Sequence, residues 1–105
     1  MVPFRRPARG TKIGTTAGEL TLDNGQLALS IARDFGPRII GFALTGGSNA
    51  FVDLGDMGIG LPDGRTYRLR GGHRLWVAPE VPEITYEPDN DPVDCTATPD
   101  GMTIQ

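Results

Sequence analysis

The stretch from Glu19 to Ala32, ELTLDNGQLALSIA, is the strongest local structural signal in the sequence. Asn24-Gly25 separates two segments in which apolar and polar residues alternate, the period of a half-buried β-strand. Asn-Gly is the favoured central pair of a type I′ turn because both turn residues need a positive φ. We therefore expect a β-hairpin. Its second strand places Leu27, Leu29 and Ile31 on one face, and Gln26, Ala28 and Ser30 on the other.

The same strand-turn-strand pattern continues beyond this hairpin. Residues 38–44, RIIGFAL, are apolar on both faces, which predicts a central strand covered on both sides. Residues 50–54 predict a further strand, and residues 55–64 a Gly-rich loop. Residues 93–105 predict two strands around Pro99-Asp100-Gly101. Since no window shows sustained helical periodicity, we expect an all-β fold, an antiparallel β-sandwich in preference to a closed barrel.

The 105 residues suffice for one domain. Residues 1–12 are rich in Pro and Arg and predict a flexible N-terminal arm, whereas residues 13–105 predict the β-sandwich domain. Met102 to Gln105 resembles a strand that has just begun, and an unfinished strand would expose a sheet edge. We therefore expect the domain to be incomplete at its C-terminus and the chain to be the N-terminal portion of a longer protein.

Charge is distributed unevenly along the chain. The net charge is -3, yet residues 75–105 contain seven acidic residues and no Lys or Arg. The acidic balance argues against nucleic-acid binding, and the acidic end is explained more simply as a solvated edge than as a docking site. The lone Cys95 allows no internal disulfide and fits a reducing compartment. Without a signal peptide or a membrane-spanning run, the sequence predicts a cytoplasmic protein.

The stretch from Gly71 to Glu80, GGHRLWVAPE, contains the single His and the single Trp of the chain. Trp76 offers a flat apolar face to a sugar ring, and nearby polar side chains offer partners for its hydroxyls. These polar side chains are His73, Arg74, Glu80, Asp89 and Asn90. In a regular strand His73 and Trp76 point to opposite faces, unless a bulge at Gly71-Gly72 reunites them.

Each candidate side chain also has a structural alternative. Trp76 fits a buried core anchor, and His73 fits a half-buried histidine bonded to a backbone carbonyl. Arg74 could pair with a nearby glutamate. For Arg38 an ion pair competes with a ligand contact, the predicted partners being Asp34 and Asp53. One His and one Cys are too few for a structural zinc site, and we expect neither a metal nor a cofactor.

Two segments of the sequence resemble a known family. NGQLALSIARDFGPRIIGFAL followed by SNAF resembles the opening of galactose-mutarotase-like proteins, through Gly36, Arg38, Ile39 and Asn49. YRLRGGHRLWVAPE and TYEPDNDPV resemble an uncharacterised bacterial family within that superfamily. Its members share Gly-Gly-His-Arg-Leu-Trp-x-Ala-Pro-Glu and a later Pro-Asp-Asn. The two segments together cover residues 19–93.

The resemblance implies a β-supersandwich with a sugar-binding cleft on a concave sheet, in proteins much longer than this chain. In mutarotases of this superfamily a His and a Glu open and close the sugar ring by acid–base catalysis. That glutamate lies late in the chain, so Glu80 is not equated with it. His73 matches the motif of the uncharacterised family and is the catalytic candidate on that ground, without being equated with the mutarotase histidine. The predicted ligand-binding residues are Arg38, Asn49, His73, Arg74, Trp76, Glu80 and Asn90.

Three functions are compatible with these residues. The first is part of an aldose 1-epimerase-like isomerase, the second a non-catalytic sugar-binding module, and the third a structural segment that supplies sheet and core. In the first two the partner is a small-molecule carbohydrate. We expect no nucleic-acid or membrane partner, and the sequence does not predict the oligomeric state.

Overall fold

The computed structural model describes residues 11–16, 18–76 and 78–105. Its largest unit is an antiparallel sheet of four strands that are neighbours in chain order. These strands are β1 (Lys12–Thr16), β2 (Glu19–Asp23), β3 (Leu27–Ala32) and β4 (Ile39–Leu44). The hairpin predicted from ELTLDNGQLALSIA is confirmed as β2 and β3, with Leu22 opposite Leu29.

The turn between β2 and β3 differs from the expected type I′ geometry. Gly25 has a φ of 87°, and it is the single residue of this described turn with a positive φ. Asn24 acts through its side chain, because its Oδ1 accepts hydrogen bonds from the N–H groups of Gln26 and Leu27 at 2.9 and 2.8 Å. The Asn24 N–H donates to the Leu27 carbonyl at 3.2 Å, so Gly25 and Gln26 are the two central residues of the turn. A positive φ at the first of them is typical of a type II′ turn, whose twist also suits a hairpin.

One face of the sheet is apolar. A row of directly opposed side chains crosses the four strands and consists of Ile13, Leu22, Leu29 and Phe42. The pairing of β3 with β4 shifts between Ser30 and Ile31, and this bulge bends the strand locally. The buried apolar side chains of the described residues lie mainly at this end of the sheet. They are Leu20, Ile31, Ala32 and Tyr67.

β4 is an edge strand, so the predicted central, doubly covered strand is wrong. Among the described residues, β4 has no strand on its outer side and pairs there only through an isolated bridge from Ile39 to His73, and Leu44 is 70% exposed. Asn49, in the loop that follows, occupies pairing positions that a fifth strand would use. Its Oδ1 accepts from the Phe42 N–H and its Nδ2 donates to the Ile40 carbonyl, both at 3.0 Å. A side chain therefore satisfies backbone groups that would otherwise remain exposed at this edge.

The rest of the chain forms short elements. These are β5 (Gly58–Gly60) paired with β6 (Thr66–Arg68), the single turn α1 (Pro82–Thr85), and β7 (Cys95–Thr98) paired with β8 (Gly101–Ile104). The predicted C-terminal pair of strands is confirmed. The predicted strand at residues 50–54 is wrong, since this segment contributes one isolated bridge, from Asp53 to Gly71. The predicted Gly-rich loop contains β5.

The all-β antiparallel class is confirmed, with one four-stranded sheet and two hairpins among the described residues. The face-to-face sandwich stays a prediction. β1 begins at Lys12, the last residue of the predicted arm, and residues 1–10 of that arm lie outside the described residues. In the part of the chain that is described, no helix is long and apolar enough to cross a membrane.

Candidate functional site

A cleft of about 460 Å³ lies over the β3–β4 half of the sheet. Its floor carries short side chains, which are Ala28, Ser30, Gly41 and Ala43. A Cβ at Gly41 would lie 2.9 Å from the Ser30 Cβ, so glycine is required at this position of the floor. The walls carry Glu19, Phe35, Asn49, Asp53, Asp56 and Arg70. The cleft therefore combines a low floor with aromatic and polar walls.

Arg70 is the cationic side chain of this lining, and no sequence pattern selects it. Its guanidinium carbon lies 3.6 Å from the centroid of the Phe35 ring, and its Nη2 donates to Asn90 Oδ1 at 3.0 Å. Burial lowers the pKa of its guanidinium. Its φ of 55° lies in the left-handed region, which costs a non-glycine residue roughly 1–3 kcal/mol. Strain and desolvation of this kind concentrate at functional sites.

Several polar atoms of the cleft are available to a ligand. Among the described residues, the side chains of Glu19 and Ser30 find no hydrogen-bond partner. Asp53 makes a hydrogen bond through Oδ1 alone, which accepts from the Gly55 N–H at 2.8 Å. Arg70 Nη1 likewise bonds to none of the described residues. Carboxylate oxygens, a hydroxyl and a guanidinium donor therefore face one cleft, and together they can bond the hydroxyl groups of a ligand.

Arg38, a predicted ligand contact, is only 4% exposed. Its Nη1 donates to the carbonyl oxygens of Leu69 and Gly71, both at 2.8 Å, and its Nε donates to Asp89 Oδ2 at 3.1 Å. Its Nη2 lies 3.0 Å from the same oxygen but outside hydrogen-bond geometry, and Asp89 Oδ1 has no partner among the described residues. The geometry thus favours the ion-pair alternative, with Asp89 in place of the aspartates expected from the sequence.

Asn49 and Asn90 also bond to protein groups. The Asn49 amide serves the edge of β4, and its Oδ1 accepts a further hydrogen bond from the Phe51 N–H at 2.9 Å. Asn90 Nδ2 donates to the Thr66 carbonyl at 2.9 Å while its Oδ1 accepts from Arg70. Asn90 therefore positions Arg70. Of the seven predicted ligand-binding residues, Asn49 is the one that lines the cleft.

The GGHRLWVAPE stretch is not a regular strand, since it contributes isolated bridges at Gly71 and His73. Gly71 and Gly72 have φ values of 89° and 72°. A Cβ at Gly71 would lie 1.9 Å from a carbonyl oxygen of the facing segment, so the glycine pair permits close backbone approach. The predicted alternation of faces along this stretch includes Val77, which lies outside the described residues.

Trp76 is 51% exposed, so the core-anchor interpretation is wrong. The Arg74 guanidinium lies 4.4 Å from the centroid of the Trp76 ring. Arg74 therefore covers one face of the indole. Arg74 Nη1 also donates to the Tyr67 hydroxyl at 3.4 Å. Glu80 accepts a hydrogen bond from the Tyr86 hydroxyl, and this bond raises the pKa of Tyr86. These side chains form a cluster that contributes nothing to the cleft lining.

His73 is exposed, and its backbone pairs with Ile39 in both directions at 2.7 and 2.9 Å. Its imidazole makes no hydrogen bond to the described residues. His73 does not line the cleft, so the structure does not bring the catalytic candidate together with Asn49 or Arg70.

No family model, curated protein or solved structure matches the chain. The relationship to galactose-mutarotase-like proteins therefore stays a prediction from the two motifs. Within residues 11–16, 18–76 and 78–105, no three His, Cys, Asp or Glu side chains are grouped as a metal site would require.

Proposed function

We propose that the chain binds a neutral carbohydrate in the cleft lined by Ser30, Asp53 and Arg70. The observation that carries the proposal is the set of free carboxylate, hydroxyl and guanidinium groups around a low floor, beside the Phe35 ring. Sugar recognition needs this combination, because each hydroxyl requires a donor or acceptor while the C–H faces of the ring are apolar. The cleft volume of about 460 Å³ falls within the range of small-molecule sites.

The charge of the lining favours a neutral ligand. Glu19, Asp53 and Asp56 contribute three carboxylates, against the one guanidinium of Arg70. The resulting negative potential disfavours sugar phosphates and sugar acids, which would meet like charge in the cleft. Glucose and galactose are therefore the first ligands to test.

The resemblance to galactose-mutarotase-like proteins supports the same class of ligand, and membership of that superfamily is part of the proposal. Mutarotation, however, needs an acid and a base at the ring oxygen and the anomeric hydroxyl. The described lining contains no histidine, since His73 lies outside it, and the resemblance matches no glutamate of this chain to the catalytic one. We therefore propose binding rather than turnover by these residues.

The direct test is an NMR titration of the ¹⁵N-labelled protein with glucose and with galactose. We expect saturable shifts at Ser30, Gly41, Asp53 and Arg70, with an affinity on the order of millimolar. Arg70→Gln should weaken binding roughly tenfold or more, because it removes a charged donor. Asp53→Asn is a second variant. It keeps an acceptor oxygen at this position and therefore perturbs the fold less than Arg70→Gln does.

The matched control is Arg33→Gln, which removes an exposed arginine that does not line the cleft and whose side chain makes no hydrogen bond or ion pair among the described residues. It should leave the affinity within a factor of about two. Circular dichroism confirms that each variant is folded. Shifts confined to Trp76 and its neighbours, with quenching of Trp76 emission, would locate the sugar at the GGHRLWVAPE stretch instead and overturn the cleft proposal. An absence of shifts with either sugar would overturn carbohydrate binding itself.

A further inference from the structure

A second concavity, of about 570 Å³, lies between the β5–β6 hairpin and α1. We call it the tyrosine groove. Its apolar lining consists of Ile59, Leu61, Pro62, Tyr67, Pro82 and Tyr86. The two tyrosine rings meet edge to face, with centroids 5.5 Å apart. Tyr67 is 5% exposed and forms the base, whereas Tyr86 is 40% exposed and presents its ring to solvent.

The walls of the groove are tied together by protein contacts. Arg65 Nε donates to Asp63 Oδ2 at 2.7 Å, and its Nη1 and Nη2 bond the two carboxylate oxygens of Glu87, the latter at 3.2 Å. These bonds connect the β5–β6 turn to the segment that follows α1. On the other wall, the Val81 N–H donates to Thr85 Oγ1 at 2.9 Å. The groove is therefore formed before any partner binds, which lowers the entropic cost of binding.

The rim of the groove is acidic. Asp63, Glu83 and Glu87 supply three carboxylates, and Arg65 alone opposes them. Arg65 is already paired with Asp63 and Glu87, while the Glu83 carboxylate has no hydrogen-bond partner among the described residues. Residues 75–105 carry seven acids and no Lys or Arg, so the field on the α1 side is also negative. The complementary occupant has an apolar body and positive charge.

We propose that the tyrosine groove binds an extended proline- and arginine-containing segment of a partner protein. Proline rings of a polyproline II segment dock between aromatic and proline side chains, and such a segment loses little conformational entropy on binding. A flanking arginine can pair bidentately with Glu83. A sugar does not fit the same floor, because its hydroxyls would face Ile59, Leu61 and two prolines. This surface is distinct from the carbohydrate cleft, and neither proposal depends on the other.

Isothermal titration with the acetylated peptide Arg-Pro-Pro-Leu-Pro-Pro-Arg tests this proposal on the whole chain, and NMR locates the contact. We expect binding with shifts at Ile59, Tyr67 and Tyr86. Tyr86→Ala should weaken it about tenfold, since a central aromatic anchor is lost. Glu83→Lys, at an exposed position, should weaken peptide binding by a similar factor and reduce the salt dependence of that binding.

Matched controls separate groove binding from general charge attraction. Asp91→Asn removes an exposed acid outside the groove and should leave the affinity within about twofold. A peptide with alanine in place of every proline should bind at least about tenfold more weakly. Equal binding of the alanine peptide, or unchanged affinity in Glu83→Lys, would overturn the proposal. Strong binding of a peptide with glutamate in place of arginine would overturn it too and assign the groove to a different partner.

Discussion

Replacement of Arg38 by methionine decides whether this residue supports the fold or contacts the ligand. Methionine occupies a similar volume but has no hydrogen-bond donor. The change leaves Asp89, whose side chain is 9% exposed, as a buried carboxylate without its cation. It also removes the donor to the carbonyl oxygens of Leu69 and Gly71. Removing one partner of a buried ion pair typically costs about 3–5 kcal/mol, because the remaining charge stays desolvated.

The geometry places Arg38→Met near the lower end of that range. Arg38 Nε and Nη2 both approach the same Asp89 oxygen, so the pair lacks the parallel two-oxygen geometry of the strongest arginine–carboxylate contacts. We expect a loss of about 3 kcal/mol in the free energy of unfolding, or roughly 12–24 °C in Tm for a domain of this size. Addition of Asp89→Asn should cost less than the sum of the single changes, because no buried charge then remains.

Urea denaturation followed by circular dichroism measures these free energies, and the sugar titration is repeated on the folded variant. If Arg38 is structural, its loss lowers stability while the affinity of the remaining folded protein is retained. A loss below about 1 kcal/mol, the value of an exposed ion pair, together with a large drop in sugar affinity would refute the structural assignment. It would restore Arg38 as a ligand contact.

Asn49→Ala should lower the free energy of unfolding by about 0.5–1.5 kcal/mol in urea titration, because it removes side-chain hydrogen bonds to exposed backbone groups of β4 that water can replace; an unchanged midpoint would contradict this role. Gly71→Ala should lower Tm far more than Gly25→Ala, because both glycines have positive φ but a Cβ at position 25 meets open space; similar losses would refute the close-approach argument. Hydrogen bonds from Arg65 lower the pKa of Glu87, so stability should fall as pH drops below 4.5, its ordinary value. The loss should be smaller in Glu87→Gln, and parallel curves of Tm against pH would count against the pairing.

Short-range patterns predicted the local elements well. Alternation around Asn24-Gly25 placed the β2–β3 hairpin, and the turn at Pro99-Asp100 placed the β7–β8 hairpin, because a hairpin depends on residues close in sequence. The prediction for β4 failed for a long-range reason. An apolar run is compatible with a central strand. Whether a second strand pairs with its outer edge, however, depends on the rest of the chain. Here the Asn49 side chain and the isolated bridge to His73 take that place.

The candidate site was less predictable than the fold. GGHRLWVAPE concentrated the rare residues, yet Arg74 stacks on Trp76 and Glu80 bonds Tyr86 instead of lining the cleft. Arg70 lies within the quoted segment YRLRGGHRLWVAPE but one position before its shared motif, and it was not among the predicted site residues. Its role depends on Phe35 and Asn90, which lie far from it in sequence.

The sequence by itself determined the all-β class and the β2–β3 and β7–β8 hairpins, because turn chemistry and side-chain alternation act over a few residues. The tertiary structure alone decided that Arg38 pairs with Asp89, that Trp76 is exposed, and that Arg70 faces the cleft. Burial and ion pairing depend on which distant segments meet. The same side chain therefore becomes a core anchor, a surface stack or a ligand contact according to neighbours that local sequence does not specify.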